Sequence, residues 1–377
     1  MSALLLVAGA GPAGLAAAAR TRHVQLTVLE RMKKPGYPPH CTGIVSEATA
    51  AKLASTTRRS LHSEEIVEAV YREAVFLGPE LRERCSIEAQ PLAVKLARPR
   101  LEQHLALLVE NDGHRIVYGA RLLETRPRRD RVEAVVSHGG STKSLTADRV
   151  LIATGAQDYA SPPHRHCWRA YGLEERVELA TRIDDEKFTT IHGTSLAPRF
   201  FAWLAPIAGG REAVVGLAAP SPYALHEKLE QLKKKLARAG LLPGISRTVS
   251  RRGGVILRGP PKRKAAKATI AWLGDTLCAS KPYTGGGLYA IAALAGHAAG
   301  WLEKGDPRLL QEPWARLRRE LLLQHIAARA AVSAPRLFLR LLSRACRAAA
   351  AGRCRVDYDR HSSLIGCLAA GLVPVRV

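Results

Sequence analysis

Residues 4–30 read LLLVAGAGPAGLAAAARTRHVQLTVLE, and this stretch decides the fold. Leu4–Val7 is an unbroken apolar run, as a strand covered on both faces requires. Gly9-x-Gly11-x-x-Gly14 follows, then an Ala-rich helix over Leu15–Ala19, then a second strand over Gln25–Leu29 that Glu30 closes. A pyrophosphate must lie against backbone N–H groups at a helix N-terminus, and side chains would hold it off, so glycines stand there. The glycine pattern alone is a weak signal that a plain turn would also give. It gains force because a strand precedes it, a helix follows it, and an acid ends the next strand sixteen residues after Gly14. Glu30 can accept hydrogen bonds from both hydroxyls of a ribose and would repel a 2′-phosphate. The stretch reads as an adenine dinucleotide site that rejects NADP.

Two more glycine turns lie far downstream. An apolar segment ending at Ile152 runs into Ala153-Thr154-Gly155, and Thr269–Leu273 runs into Gly274-Asp275. Asp275 is placed to bind a polyol hydroxyl. Lys281-Pro282-Tyr283-Thr284-Gly285-Gly286-Gly287-Leu288 then opens an apolar helix. Three glycines at a helix start let backbone lie flat against a planar ligand, and the positive helix end favours an anionic reduced ring. A flexible linker is the bland alternative for the glycines. The three turns predict a discontinuous Rossmann-like nucleotide-binding domain over 1–65, 98–158 and 266–305 in an α/β protein. A β-sheet substrate domain, 66–97 and 159–265, is inserted in it, and 306–377 forms a helical C-terminal region.

The intervening pattern predicts a helix capped by Ser46 and strands over Val67–Leu77 and Ile87–Leu96. A helix over Arg98–Asn111 puts Leu101, Leu105 and Leu108 on one face. Ile116–Leu123, Arg131–Val136 and Ser144–Ile152 read as an antiparallel meander. Arg176–Leu179, Phe188–Ile191, Phe200–Leu204 and Glu212–Leu217 read as strands, and Ser221-Pro222 as the start of a helix that Gly240 stops.

The chain has 377 residues, 57 Lys+Arg against 33 Asp+Glu, and a net charge of +24. That balance suits an anionic partner, a phospholipid or an anionic cofactor, and equally a solvated basic surface. Arg336, Arg340, Arg344 and Arg347 share one helical face opposite Phe338, Leu341 and Leu342, a pattern that fits either an acidic membrane surface or a solvated face. Nucleic acid is disfavoured because no reading motif accompanies the charge. Seven cysteines, an odd number without CxxC pairs, argue against a disulfide framework and a zinc ribbon, and no metal site is expected. The uncharged run Pro282–Leu302 is long enough to span a bilayer, but its glycines, Tyr289 and His297 favour a buried helix. The N-terminal apolar run reads as a strand rather than a signal peptide.

With these motifs the chain resembles the geranylgeranyl reductase family of FAD-dependent oxidoreductases, in particular the archaeal enzymes that saturate prenyl chains of membrane ether lipids. The resemblance covers roughly residues 3–305. It rests on GAGPAG at Gly9–Gly14, Glu30-Arg31, Cys41-Thr42-Gly43 and Arg98 at the head of the middle helix. It rests also on Phe201-x-Trp203-x-x-Pro206 with Val215-Gly216, and on the flavin loop from Gly274-Asp275 to Pro282-x-Thr284-Gly285-Gly286-Gly287. Leu101 replaces a usual aromatic beside the acid Glu102, and Leu204-Ala205 a usual bulkier pair. Thr154-Gly155 and the uninterrupted glycines differ from the related aromatic hydroxylases.

The resemblance implies FAD, held by Gly9, Gly11, Pro12, Ala13, Gly14, Glu30, Arg31, Cys41, Gly43, Arg98, Thr154 and Gly155, and by Gly274, Asp275, Pro282, Gly285, Gly286, Gly287 and Leu288. It implies hydrogenation of carbon–carbon double bonds in geranylgeranyl chains of a polyprenyl lipid. The electrons come from an external donor, NAD(P)H or a small iron–sulfur protein. Such a reaction adds hydride to one carbon and a proton to the other, and aromatic faces stabilise the positive charge that builds between them, by ~2 kcal/mol when desolvated. Phe201, Trp203 and Tyr283 are the expected wall, although Phe201 and Trp203 would share one face of an ordinary core strand too. Cys41 and Tyr283 are the candidate proton donors, and His40 the histidine to test. Alternatives are another FAD-dependent monooxygenase, a quinone-linked dehydrogenase, or a non-catalytic basic flavoprotein on membrane or RNA. A cytoplasmic location is expected, with peripheral contact at the membrane inner face.

Overall fold

A computed structural model describes residues 3–39, 41–57, 65–156 and 167–372. His40 lies outside the described residues. The chain opens with β1 (Leu5–Ala8), α1 (Pro12–Ala18) and β2 (Leu26–Glu30), then β3 (Ile44–Val45) and α2 (Glu47–Thr57). Ser46 caps α2 as its sequence position suggests, its Oγ accepting the Thr49 N–H at 3.2 Å. Two long strands, β4 (Val67–Leu77) and β5 (Glu83–Leu96), lead to α3 (Arg98–Asn111). Short strands follow: β6 (Arg115–Tyr118), β7 (Ala120–Pro127), β8 (Val132–His138), β9 (Ser141–Ala147) and β10 (Arg149–Ile152).

The second half runs β11 (Arg169–Leu179), β12 (Lys187–His192), β13 (Phe201–Ile207), β14 (Glu212–Ala219), α4 (Leu225–Arg238), β15 (Ile245–Leu257) and β16 (Ile270–Trp272). Four helices finish it: α5 (Leu288–Lys304), α6 (Arg308–Ser333), α7 (Pro335–Ala350) and α8 (Ser362–Leu372). None is long and apolar enough to cross a membrane among the described residues.

Three distant pieces build one parallel sheet in the order β16-β10-β1-β2-β6. The β1 side chains alternate as a strand dictates. Leu5 and Val7 join α1, α3 and α5 in one core, while Leu6 and Ala8 meet the meander β7-β8-β9 through Leu122, Val132 and Ala134. The sheet is therefore covered on both faces, which is why β1 and β10 read as apolar runs. The meander differs from its predicted bounds at both ends. Gly119, at φ +70, breaks Ile116–Leu123, so β6 joins the parallel sheet and β7 the meander. Asp148 breaks Ser144–Ile152, its carboxylate accepting the Leu4 N–H at 2.7 Å, and β10 beyond it pairs with β1.

The second sheet has eight strands, β15-β11-β14-β13-β12-β4-β5-β3. On one face, Leu225, Leu229, Leu232 and Leu236 of α4 pack on Ala202, Leu204, Val215 and Leu217. On the other, Phe188, Phe201 and Trp203 share a cluster with Leu342 and Cys346 of α7. Helix α4 begins later than Ser221-Pro222 suggests. Ser221 Oγ accepts the Tyr223 N–H in a turn, and Ala224 at φ +57 precedes the first helical residue. Strand β15 escapes the pattern because its first half, from Ser246 to Arg251, is exposed and polar but for Val249, as an edge strand allows.

The cysteines overturn their reading. Six pair as Cys85–Cys346, Cys167–Cys278 and Cys354–Cys367, and Cys41 is free. Two pairs join residues 261 and 111 positions apart, so only the fold brings them together.

Candidate functional site

The three glycine turns converge on a cavity of about 850 Å³. At the first, a Cβ on Gly14 would sit 1.9 Å from the Gly9 carbonyl oxygen, and one on Gly9 would sit 2.5 Å from that of Ala153. Those two glycines let α1 close on the turn and the second glycine turn close on the first. Gly11 differs, because nothing lies within 4 Å of the place a Cβ would take. It is the residue before α1, whose N-terminus has no side-chain cap. Free N–H groups at the positive end of a helix thus face open space. Glu30 reaches into this turn and accepts the N–H groups of Ala10 and Met32, each at 2.7 Å.

The flavin loop is tightly bounded. A Cβ on Gly285 would meet Ile256 Cγ2 at 2.3 Å, and one on Gly286 would meet Lys281 Cε at 2.6 Å. Gly287 precedes α5, which also has no side-chain cap. Asp275 lies below, and burial raises its carboxyl pKa despite the nearby Arg98. Burial disfavours the Arg98 cation, but Glu102, bonded to its Nε at 2.9 Å, and the Cys41 thiol raise its pKa overall. Thr154 Oγ1 and Thr284 Oγ1 are buried without a partner, and both residues line the cavity.

The aromatic part is continuous with this region. Phe201, Trp203 and Tyr283 all line the cavity, and Phe201 stacks on Tyr283 with centroids 5.9 Å apart. Phe338 of α7 packs on Tyr283 at 5.0 Å. The Trp203 indole N–H donates to Glu174 at 3.0 Å, and a Cβ on Gly216 would strike the indole at 2.4 Å, so the ring is fixed from both sides. Phe201 and Trp203 are therefore core residues of β13 and cavity wall at once, being 8% and 9% exposed.

Most residues expected at the cofactor line the cavity: Gly9, Gly11, Pro12, Ala13, Glu30, Arg31, Cys41, Gly43, Arg98, Thr154, Gly155, Asp275, Gly285, Gly286, Gly287 and Leu288. Gly14, Gly274 and Pro282 do not. Gly14 packs under Gly9, a Cβ on Gly274 would lie 3.1 Å from that of Ala13, and the Pro282 carbonyl accepts Arg258 Nε at 2.7 Å. They shape the wall from behind.

Two groups of the site carry no sequence signal. His192 of β12, 3% exposed, shares a hydrogen bond of 2.7 Å with the Tyr283 hydroxyl. Burial drops its pKa to about 3, so the ring is neutral. A lone histidine in a strand reads as core. The C-terminal region supplies the second. Lys281 Nζ donates to Asp359 at 2.6 Å, and the two side chains are 2% and 0% exposed. Burial would raise the Asp359 carboxyl, but the Lys281 charge and hydrogen bonds from Ser46 and Thr49 hold it down at about 2. Phe338, Leu342, Tyr358 and Leu364 line the cavity too, so the helical tail forms one wall.

Residues 4–190 match the pyridine nucleotide-disulphide oxidoreductase family. No curated protein matches the chain in sequence. Among solved structures the chain is similar to a geranylgeranyl bacteriochlorophyll reductase-like protein from Thermoplasma acidophilum, with 18% identity, 98% of this chain and 96% of that one covered, and a TM-score of 0.82. It is also similar to p-nitrophenol 4-monooxygenase from Pseudomonas putida, with 16% identity, 99% and 100% covered, and a TM-score of 0.72. A flavin-dependent halogenase follows at 16% identity, 96% and 67% covered, and a TM-score of 0.64. Site and comparisons together define an FAD-dependent oxidoreductase fold. The chain shares this fold over nearly its whole length with the geranylgeranyl bacteriochlorophyll reductase-like protein.

The residues present fit FAD. The open turn at Gly11 suits a pyrophosphate, Glu30 a ribose and Asp275 a ribityl chain. Residues 285–288 suit a flat ring system, and the unpartnered hydroxyls of Thr154 and Thr284 offer it hydrogen bonds. When bound, FAD supplies two-electron chemistry as hydride at its ring. Phe201, Trp203, Tyr283 and Phe338, which line the cavity, would exclude water from that ring.

Proposed function

We propose that the protein is a reductase that saturates carbon–carbon double bonds in geranylgeranyl chains, on an archaeal membrane ether lipid. One observation supports this most: the flavin turn opens directly into an apolar, aromatic-walled chamber that β12, β13 and helices α6 to α8 enclose. A prenyl chain offers no polar handle, so apolar burial and aromatic faces are what can hold it. The likeness to a reductase-like protein over nearly all of both chains agrees.

The chain meets its lipid as a cytoplasmic protein at the inner membrane face. Leu337 and Ile365 line the cavity while 54% and 45% exposed, so its mouth is greasy, and exposed Arg336 and Arg340 flank it on α7. Electrons come from NAD(P)H or a small iron–sulfur protein. The test is anaerobic. Photoreduced enzyme is mixed with a geranylgeranyl lipid, and flavin absorbance must return as the lipid gains two hydrogens per double bond. Flavin that stays reduced under lipid and reoxidises only with oxygen refutes the proposal.

A further inference from the structure

Tyr283 does not stand alone in the chamber. Its hydroxyl lies 2.7 Å from Nδ1 of His192, and Nε2 of that ring lies 2.9 Å from Thr190 Oγ1. Thr190 in turn donates to the Val75 carbonyl at 3.3 Å. The imidazole is also clamped by rings. Phe76 stacks on it at 5.9 Å, Tyr283 at 5.7 Å, and Phe201 packs at 5.4 Å. His192, Thr190 and Tyr283 all line the cavity.

We propose that His192 is a positioning residue: its Nδ1 accepts the Tyr283 O–H and so fixes the phenol oxygen at the chamber wall as the proton source for double-bond reduction. This rests on the reductase reading above. Its chemistry is that of a neutral pair. Burial raises the phenol pKa and lowers that of the imidazole to about 3, so neither group of the pair is charged at neutral pH.

The step balances as follows. One alkene carbon takes the phenol proton as the Tyr283 O–H bond breaks, and the alkene π pair forms the new C–H bond. The adjacent carbon takes a hydride, so the alkene gains two electrons from the reduced cofactor the reaction already requires. The phenolate oxygen left behind faces Nδ1. Water admitted after product leaves returns one proton to the phenolate oxygen, the O–H again donates to Nδ1, Nε2–H stays on Thr190 Oγ1, and the pair is neutral again.

The test uses holoenzyme with His192→Phe, which keeps the stacking, and His192→Asn, whose amide reaches the Nδ1 position. A positioned proton donor contributes roughly 100-fold or more. His192→Phe is expected to lower kcat at least ~10-fold, with KM within about twofold and flavin absorbance unchanged, and His192→Asn to recover part of the loss. A wild-type kcat in His192→Phe, or Asn no better than Phe, overturns the proposal. A second measurement is independent of turnover. The 15N ring resonances of one histidine must shift in Tyr283→Phe, and identical spectra overturn the pairing. Wild-type enzyme inert toward every prenyl alkene would sink the reductase reading instead, leaving the spectra to decide the pair.

Discussion

Asp359→Asn isolates the charge in the ion pair that joins the C-terminal region to the flavin loop. Asparagine keeps the shape and can still accept the Ser46 N–H that Asp359 takes at 2.8 Å. It leaves the Lys281 ammonium buried without a counterion. A carboxyl held at about 2 instead of 3.8 stabilises the folded state by about 2.4 kcal/mol at neutral pH. Stranding a buried cation brings the expected loss to ~3–5 kcal/mol. The carboxyl pKa is depressed by folding, so the stabilisation is complete above roughly pH 4 and fades as pH falls through about 2. Urea unfolding of wild type and variant at pH 7 measures the difference, and the two curves converge toward pH 2. Flavin retention on gel filtration should fall as well, because Lys281 sits against Gly286. Lys281→Met/Asp359→Leu, which removes both charges, should recover most of the stability. A neutral-pH difference below ~0.5 kcal/mol would show that Lys281 finds water or another anion, and the latch would be discarded.

Gly286→Val puts atoms where Lys281 Cε lies 2.6 Å from the Cβ position. The variant should purify colourless, and a normal yellow spectrum would unseat the loop assignment. Trp203→Ala should retain flavin but cut lipid turnover at least ~10-fold through loss of an aromatic wall, and unchanged turnover would return Trp203 to the core alone. Alkylation of unfolded, unreduced protein should label one thiol, Cys41, and all seven after reduction, because the other six are paired. More than one label before reduction, read by intact mass, would break the pairing.

The glycine turns were legible because backbone must come close to backbone there, and only one residue type permits it. Gly9 and Gly14 show this in the distances a Cβ would meet. Leu101 and Leu105 of α3 and the unbroken apolar run of β1 were legible because burial leaves its mark, on one face of a helix and on both faces of a covered strand. What stayed hidden depends on tertiary approach. The basic stripe on α7 reads the same whether the opposite face meets a membrane or a cavity, and only folding shows Phe338 against Tyr283. Asp359 is one acid among many until Lys281 is placed beside it. Gly119 sits inside a strand pattern, so one predicted strand became two in different sheets. Likewise Lys233 of α4 meets the fully buried Glu175 at 2.7 Å only once the chain has folded.

The order of strands in the parallel sheet sets a timetable for biosynthesis. Strand β1 pairs with β10, and β10 with β16, whose first residue is Ile270. At about 5–20 residues per second, a ribosome needs on the order of ten seconds or more between the emergence of the first glycine turn and its last sheet neighbour. Throughout that interval an unpaired, fully apolar edge is exposed to other nascent chains, so recombinant yield should respond to holding chaperones and slower translation more than to any change at the finished site.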